Sequence, residues 1–174
     1  DSMLKSMRRG ITSDKTRALL DTVRNKIPNI AIRTTFISGY PGETEQDHET
    51  LIRFLEELRF ERVGVFTYSH EENTHAYTLN DDVDETTKQR RLDELMQVQQ
   101  NISDSINQKK IGKNFRTLFD RKEGNYFIGR TEYDSPEVDN EVLVDANENY
   151  VRVGDFANIK ITSAEAFDLY GTLS

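Results

Sequence analysis

The sequence predicts an α/β region followed by an all-β region: part of an α/β domain over residues 1–110, then a small five-stranded antiparallel barrel of OB-like type over 111–174. Three observations carry this. In the first 110 residues, runs with helical spacing alternate with short β-branched runs, the pattern of parallel strands joined by right-handed helical crossovers. From Ile111 onward the texture changes to about five short alternating runs separated by turn residues. Only two strands are evident before that point, and two parallel strands make a poor sheet, so the first region reads as a fraction of an α/β domain.

Each element has a local reason. "ITSDKTRALLDTVRNKIP" reads as a helix, with Thr12 or Ser13 capping its start, a stripe of Leu19, Leu20, Val23 and Ile27, and Pro28 as its stop. "NIAIRTTFI" carries β-branched residues on both faces, as a strand buried on both sides would. Thr44, with Asp47 three residues on, resembles a capping box opening a helix that packs through Leu51, Ile52, Leu55 and Leu58. "ERVGVFTYS" is a second strand of the same kind, and Asp84 begins a long helix with Leu92, Leu95, Met96, Ile102 and Ile106 on one side. The strand-like runs then follow as "FRTLFD", "YFIGRT", "NEVLV" and "YVRVGDFANIKITSA", with turns at "RKEGN" and "ANEN". In the last run Ala157, Ile159 and Ile161 alternate with polar neighbours, one face of a half-buried strand.

Composition narrows the function classes. With 31% charged and 35% hydrophobic residues the chain reads as globular, and no apolar run approaches the roughly 18 residues of a membrane span. The N-terminus shows no signal peptide, and a first residue of Asp rather than Met suggests a piece of something longer. There is no cysteine, so this chain by itself supplies no disulfide, thiolate nucleophile or cysteine-ligated iron–sulfur cluster. A cytoplasmic setting is the expectation. The net charge is −8; residues 111–174 carry 7 Lys/Arg against 12 Asp/Glu, hence −5, leaving 16 against 19, hence −3, for the rest. Neither part has the basic excess that phosphate binding usually demands, and a basic protein partner suits this surface better than bare RNA.

Several motifs carry more than one meaning. "ISGYPGE" falls at the C-terminal end of a strand, where parallel α/β domains bind ligands. Gly39 and Gly42 let backbone approach a bound group, and Pro41 fixes the loop; a plain turn before a helix explains them as well. Without a GxGxxG or a Walker lysine, nucleotide phosphate binding is not indicated. Arg33 and Thr35, polar groups in an apolar strand, either face a ligand-filled lumen or make structural hydrogen bonds. His48, His70 and His75 lack metal spacing and are expected at the surface, and "HEEN" reads as an exposed acidic loop. "GRTEYDSPEVDNEV" offers Arg130 and Tyr133, then a rigid acidic loop with Asp134, Glu137 and Asp139 that would attract Lys/Arg-rich protein; a plain charged barrel loop explains it as well.

Taken in order, "SMRRG", "RTTFISGYPGET", "RVGVFTYSHEENTHA", "LMQVQQNIS" and "GRTEYDSPEVDNEV" resemble the C-terminal part of the radical-SAM methylthiotransferases, nearest to the branch that modifies a ribosomal protein. The resemblance implies that residues 1–110 are the last units of an incomplete (β/α) barrel and that 111–174 are a TRAM domain. It implies methylthiolation of the β-carbon of an aspartate in a small-subunit ribosomal protein. The cofactors would be S-adenosylmethionine, cleaved to a 5′-deoxyadenosyl radical, and two four-iron four-sulfur (4Fe-4S) clusters ligated outside this chain. The family's CxxxCxxC motif and its three further cluster cysteines have no counterpart here, so the chain alone is expected to be inactive, with no catalytic residue and no metal ligand of its own. Carried over, Arg33, Thr35, Ile37, Gly39 and Phe66 are the candidates for the S-adenosylmethionine pocket. Arg130, Tyr133, Asp134 and Glu137 are the candidates for contacting the protein substrate. The rivals are the sister branch that methylthiolates an adenosine in tRNA, whose TRAM barrel is expected to be basic, and a non-catalytic TRAM binding module, which would not need the attached barrel strands.

Overall fold

A computed structural model describes residues 1–136 and 138–174, in two compact units, Asp1–Gln99 and Gln100–Ser174. In chain order the elements are α1 (Ser2–Ser6), α2 (Ser13–Lys26), β1 (Arg33–Ser38), α3 (Glu45–Leu58), β2 (Arg62–Thr67), a short 3-10 turn (Ala76–Thr78), α4 (Glu85–Gln108), β3 (Asn114–Glu123), β4 (Tyr126–Arg130), β5 (Glu141–Asp145), β6 (Phe156–Ala164) and β7 (Asp168–Leu173). The helix α4 begins in the first unit and ends in the second. Among the described residues no helix is long and apolar enough to cross a membrane.

The first unit is a helix–strand–helix–strand–helix arrangement around a two-stranded parallel sheet, with β1 and β2 in register from Arg33 opposite Arg62 to Ser38 opposite Thr67. Its helix starts follow the sequence signals. Thr12 accepts the Lys15 amide at the head of α2, and Thr44 and Asp47 exchange side-chain-to-backbone bonds of 3.2 and 3.1 Å, a complete capping box. A left-handed Arg59 ends α3. One face of the sheet is packed: Phe36 meets Phe54 and Phe60 at ring-centroid distances of 6.3 and 6.1 Å, beside the buried Leu55, Leu58, Val65 and Leu95. The other face carries Arg33, Thr35 and Ile37 exposed, so β1 is not buried on both sides as its β-branched run predicts. Two strands packed through Phe36 onto α3 have only one covered face.

The second unit contains a closed five-stranded barrel of order β3-β4-β5-β7-β6. All neighbouring pairs are antiparallel except β5 and β7. Phe119, Phe127, Val142, Val144, Val151, Ile159, Ile161 and Leu169 fill it. The alternation of Ile159 and Ile161 with polar neighbours does face a core. Gly129 stands where a β-carbon would press on the Leu118 carbonyl and the Thr117 methyl, so the strands approach there as closely as backbone allows. Bulges between Phe119 and Arg121 and between Ile161 and Ser163 bend the two long strands into closure. The last strand, β7, has no counterpart among the runs identified from sequence, because Leu169 is its one fully buried residue. The end of α4 is tied to the β6–β7 loop: Ser103 Oγ donates to the Ala166 carbonyl at 2.6 Å and Asn107 Nδ2 to that of Glu165 at 2.9 Å.

Candidate functional site

The Gly-Tyr-Pro-Gly turn after β1 is held by charged groups of its own loop, of the segment before α4 and of α4. Gly39 has φ +76° and a β-carbon there would fall on Lys88 Cγ, so both its conformation and the space beside it demand glycine. Its N–H donates to Glu43 Oε2 at 3.0 Å, and the Gly42 N–H (φ +81°) donates to Asp82 Oδ1 at 2.7 Å. The Lys88 side chain is 1% exposed; its Nζ reaches Asp81 at 2.8 Å and Glu85 at 2.7 Å and lies 5.3 Å from the Tyr68 ring centroid. Burial works against that charge, but the hydrogen bonds to Asp81 and Glu85 outweigh it and the pKa of Lys88 is raised. Arg91 and Glu43, 5% and 8% exposed, form a buried pair at 2.9 Å, and Arg91 also donates to the Glu43 carbonyl. Ser38 Oγ donates to the Lys88 carbonyl at 3.1 Å, tying the strand end to the same helix turn.

Of the candidates for cofactor contact, Arg33, Thr35 and Ile37 share the open face of β1, and the register sets Phe66, 62% exposed, beside Ile37, and Gly64 beside Thr35. An exposed phenyl ring, an isoleucine and a hydroxyl on one face suit a flat, partly apolar ligand. Gly39 is buried in the turn, with Lys88 rather than open space beside it.

His48 corrects the expectation of surface histidines. It is 1% exposed, with Nε2 2.7 Å from Glu94, because the second turn of α3 faces α4. His70 and His75 are exposed. Glu45, His48 and Glu94 bring ligand-type atoms within 4.8 Å of one another. Arg90 bonds both carboxylates at 2.8 Å and Arg91 reaches Glu45 at 3.2 Å, so the negative charge a cation would need is already balanced. Hydrogen bonding from Arg90 is the main reason that the Glu45 pKa drops to about 2. The roles of Lys88, Arg91 and His48 went unread from sequence, although Lys88 and Arg91 stand seven and four positions before Leu95 along one stripe of α4.

On the barrel, Arg130 Nε donates to Asp120 Oδ2 at 3.0 Å. Tyr133 is half-buried, and burial, then Glu132, raises its hydroxyl pKa. Asp134 is 7% exposed and accepts the Thr131 hydroxyl at 2.5 Å, so it shapes the loop from inside. Asp139 accepts the Ser135 N–H at 2.8 Å. Glu137 lies outside the described residues.

Comparison with known proteins fits this architecture. Residues 111–173 match the TRAM domain family. The chain is 59% identical to the ribosomal protein uS12 methylthiotransferase RimO of Christiangramia forsetii, over 98% of this chain and 38% of that protein. Those of Cytophaga hutchinsonii and Flavobacterium johnsoniae are 57% and 58% identical, again over 98% of this chain and 39% of each. The chain thus spans about two fifths of the length of the curated relatives it matches. A solved multidomain protein with nucleic acid binding domains from Streptococcus pneumoniae TIGR4 overlaps 38% of this chain and 24% of its own, with a TM-score of 0.32 and 14% identity, too slight a likeness to build on. The chain is identified, over nearly its whole length, as similar to a segment of the RimO methylthiotransferases that includes a TRAM domain.

Proposed function

We propose that this chain is part of an enzyme that attaches a methylthio group to the β-carbon of an aspartate in ribosomal protein uS12, in the cytoplasm. The observation that carries the reading is the identity of 57–59% to RimO proteins across 98% of the chain. S-adenosylmethionine, when bound, supplies the radical chemistry, and the chemistry of the open face of β1 and β2 is compatible with it. Thr35, Ile37 and Phe66 would form one wall of its pocket, with Arg33 at the edge of that wall and Gly39 keeping the turn that ends it. The iron–sulfur clusters do not fit this chain, which has no thiolate to offer, and their ligands would come from elsewhere in a longer protein. We place the functional boundary at 110/111, with the TRAM barrel contacting the protein substrate through Arg130, Tyr133 and Glu137 and Asp134 holding their loop. The barrel region's charge of −5 favours a Lys/Arg-rich protein.

One observation favours the tRNA alternative: Arg116 lies 4.2 Å from the ring centroid of the exposed Phe156, and Lys160 is exposed on the same strand, a basic and aromatic combination. The test is to incubate the full-length protein, with clusters reconstituted, with S-adenosylmethionine, a sulfur donor and a low-potential one-electron reductant, offering purified uS12 and tRNA separately. Mass spectrometry is expected to find the methylthio group on an aspartate of the protein. A methylthio group found on tRNA and absent from uS12 would overturn the reading.

A further inference from the structure

We propose that the cavity at the C-terminal end of β1, between the end of α1, Tyr40 and residues 74–76, is a carboxylate-binding subsite that takes the side chain of the substrate aspartate. This rests on the reading of the substrate given above.

The cavity has a volume of about 260 Å³, and Met7, Arg8, Arg9, Tyr40 and His75 are among its walls. It lies wholly within the first unit. Tyr40 follows Gly39 directly, and its hydroxyl donates to the Ser6 carbonyl at 3.2 Å, so the turn after β1 carries one wall and fastens the end of α1 as another. The cavity therefore opens at the strand end where α/β domains receive ligands.

Its charged groups, Arg8 and Arg9, are donors. Arg8 Nη2 lies 3.1 Å from His75 Nδ1. A guanidinium has no acceptor, so Nδ1 accepts, the imidazole is neutral, and its proton sits on Nε2 as a further donor. Among the described residues, no carboxylate pairs with Arg8 or Arg9, whereas Arg17, Arg24, Arg90, Arg91, Arg121 and Arg130 each have one. In a chain with eight more acids than bases, two adjacent exposed arginines without carboxylates beside a cavity leave their donors available to an anion from outside.

Arg8 has φ +55° just past the end of α1, the same left-handed helix end that Arg59 makes after α3, and the turn brings its side chain to the cavity wall. Two guanidiniums and an Nε2–H suit a planar carboxylate, which accepts bidentate bonds. The same chemistry would suit the carboxylate of S-adenosylmethionine, so the test must separate the two.

The experiment measures binding to the full-length protein of two peptides with the substrate sequence, one carrying aspartate and one asparagine at the modified position, and separately the affinity for S-adenosylmethionine. The variants are Arg8→Asn, which tolerates the left-handed backbone, and Arg9→Gln. The wild type is expected to prefer the aspartate peptide about tenfold or more, as loss of a charged hydrogen bond implies. Each variant should bring the two peptides to within about threefold while affinity for S-adenosylmethionine holds. An undiminished preference in both variants would overturn the proposal, as would equal wild-type binding of the two peptides. Weakened S-adenosylmethionine binding with the preference intact would assign the cavity to the cofactor. Failure of the wild type to bind either peptide would instead bring down the substrate reading on which the proposal rests.

Discussion

The two units solve the burial problem in opposite ways. The barrel closes on itself: its five strands have no free edge, and an apolar cluster from Phe119 to Leu169 fills it, with Thr117 the polar residue buried on its strands. The first unit has two strands with one covered face, and much of what it buries along α4 is polar, namely Lys88, Arg91 and Gln99. Apolar packing is tolerant of small errors, whereas a buried charge must find its partner. The barrel therefore looks built for stability, and the α/β unit for holding one turn, Gly39–Glu43, in one geometry beside an open sheet face and a cationic cavity.

The contrast can be broken by mutation. The largest effect belongs to the barrel core: Phe119→Ala should cost about 3–5 kcal/mol, read as faster hydrogen exchange at the Val142 and Ile161 amides with those of α3 unchanged. In the first unit, Glu43→Gln takes the closer and more buried carboxylate from Arg91, leaving it only the exposed Glu45, and should cost about 3 kcal/mol in urea denaturation. The double change Glu43→Leu with Arg91→Leu should cost less than the single one, because nothing charged is left unpaired. If the double change costs more, the pair is a net source of stability and the contrast weakens.

The pH responses of the units should have opposite signs. Glu45 has its pKa lowered by Arg90 from the usual 4.5 to about 2. Its contribution is complete above the unfolded value and is lost as the pH falls from about 4.5 toward 2, so Glu45→Gln should flatten acid unfolding of the first unit in that window. Asp168 on β7 has a raised pKa, from burial first and then from Glu141 and Glu165. Its folded form prefers the proton, so it weakens the barrel above that pKa and ceases to do so as the pH falls. Asp168→Asn should raise barrel stability at pH 7, by no more than the roughly 0.5 kcal/mol of a surface change, seen as slower exchange at Leu169.

Much of this was legible because it is local. The capping box of Thr44 and Asp47, the alternation of Ile159 and Ile161, and the placement of Thr35 and Ile37 two apart on one strand all depend on neighbours within a few residues. What stayed hidden depends on distant partners. Lys88 is buried because Asp81 and Tyr68 meet it, Arg91 because Glu43 does, and His48 because of Glu94. The cavity needs Arg8 and His75 brought together across 67 positions. Gly39 was legible as special, and its close approach is to Lys88. The strand β7 stayed hidden because closure, rather than its own pattern, makes it a strand.

The most direct test of the contrast is hydrogen exchange by mass spectrometry on this chain and on the full-length protein. In this chain the amides of β1 and β2 are expected to exchange about tenfold or more faster than those of β4, β5 and β6. In the full-length protein β1 and β2 should slow while the barrel is unchanged. Equal protection of β1, β2 and the barrel in this chain, with no further slowing at full length, would contradict the account of an open sheet beside a self-sufficient barrel.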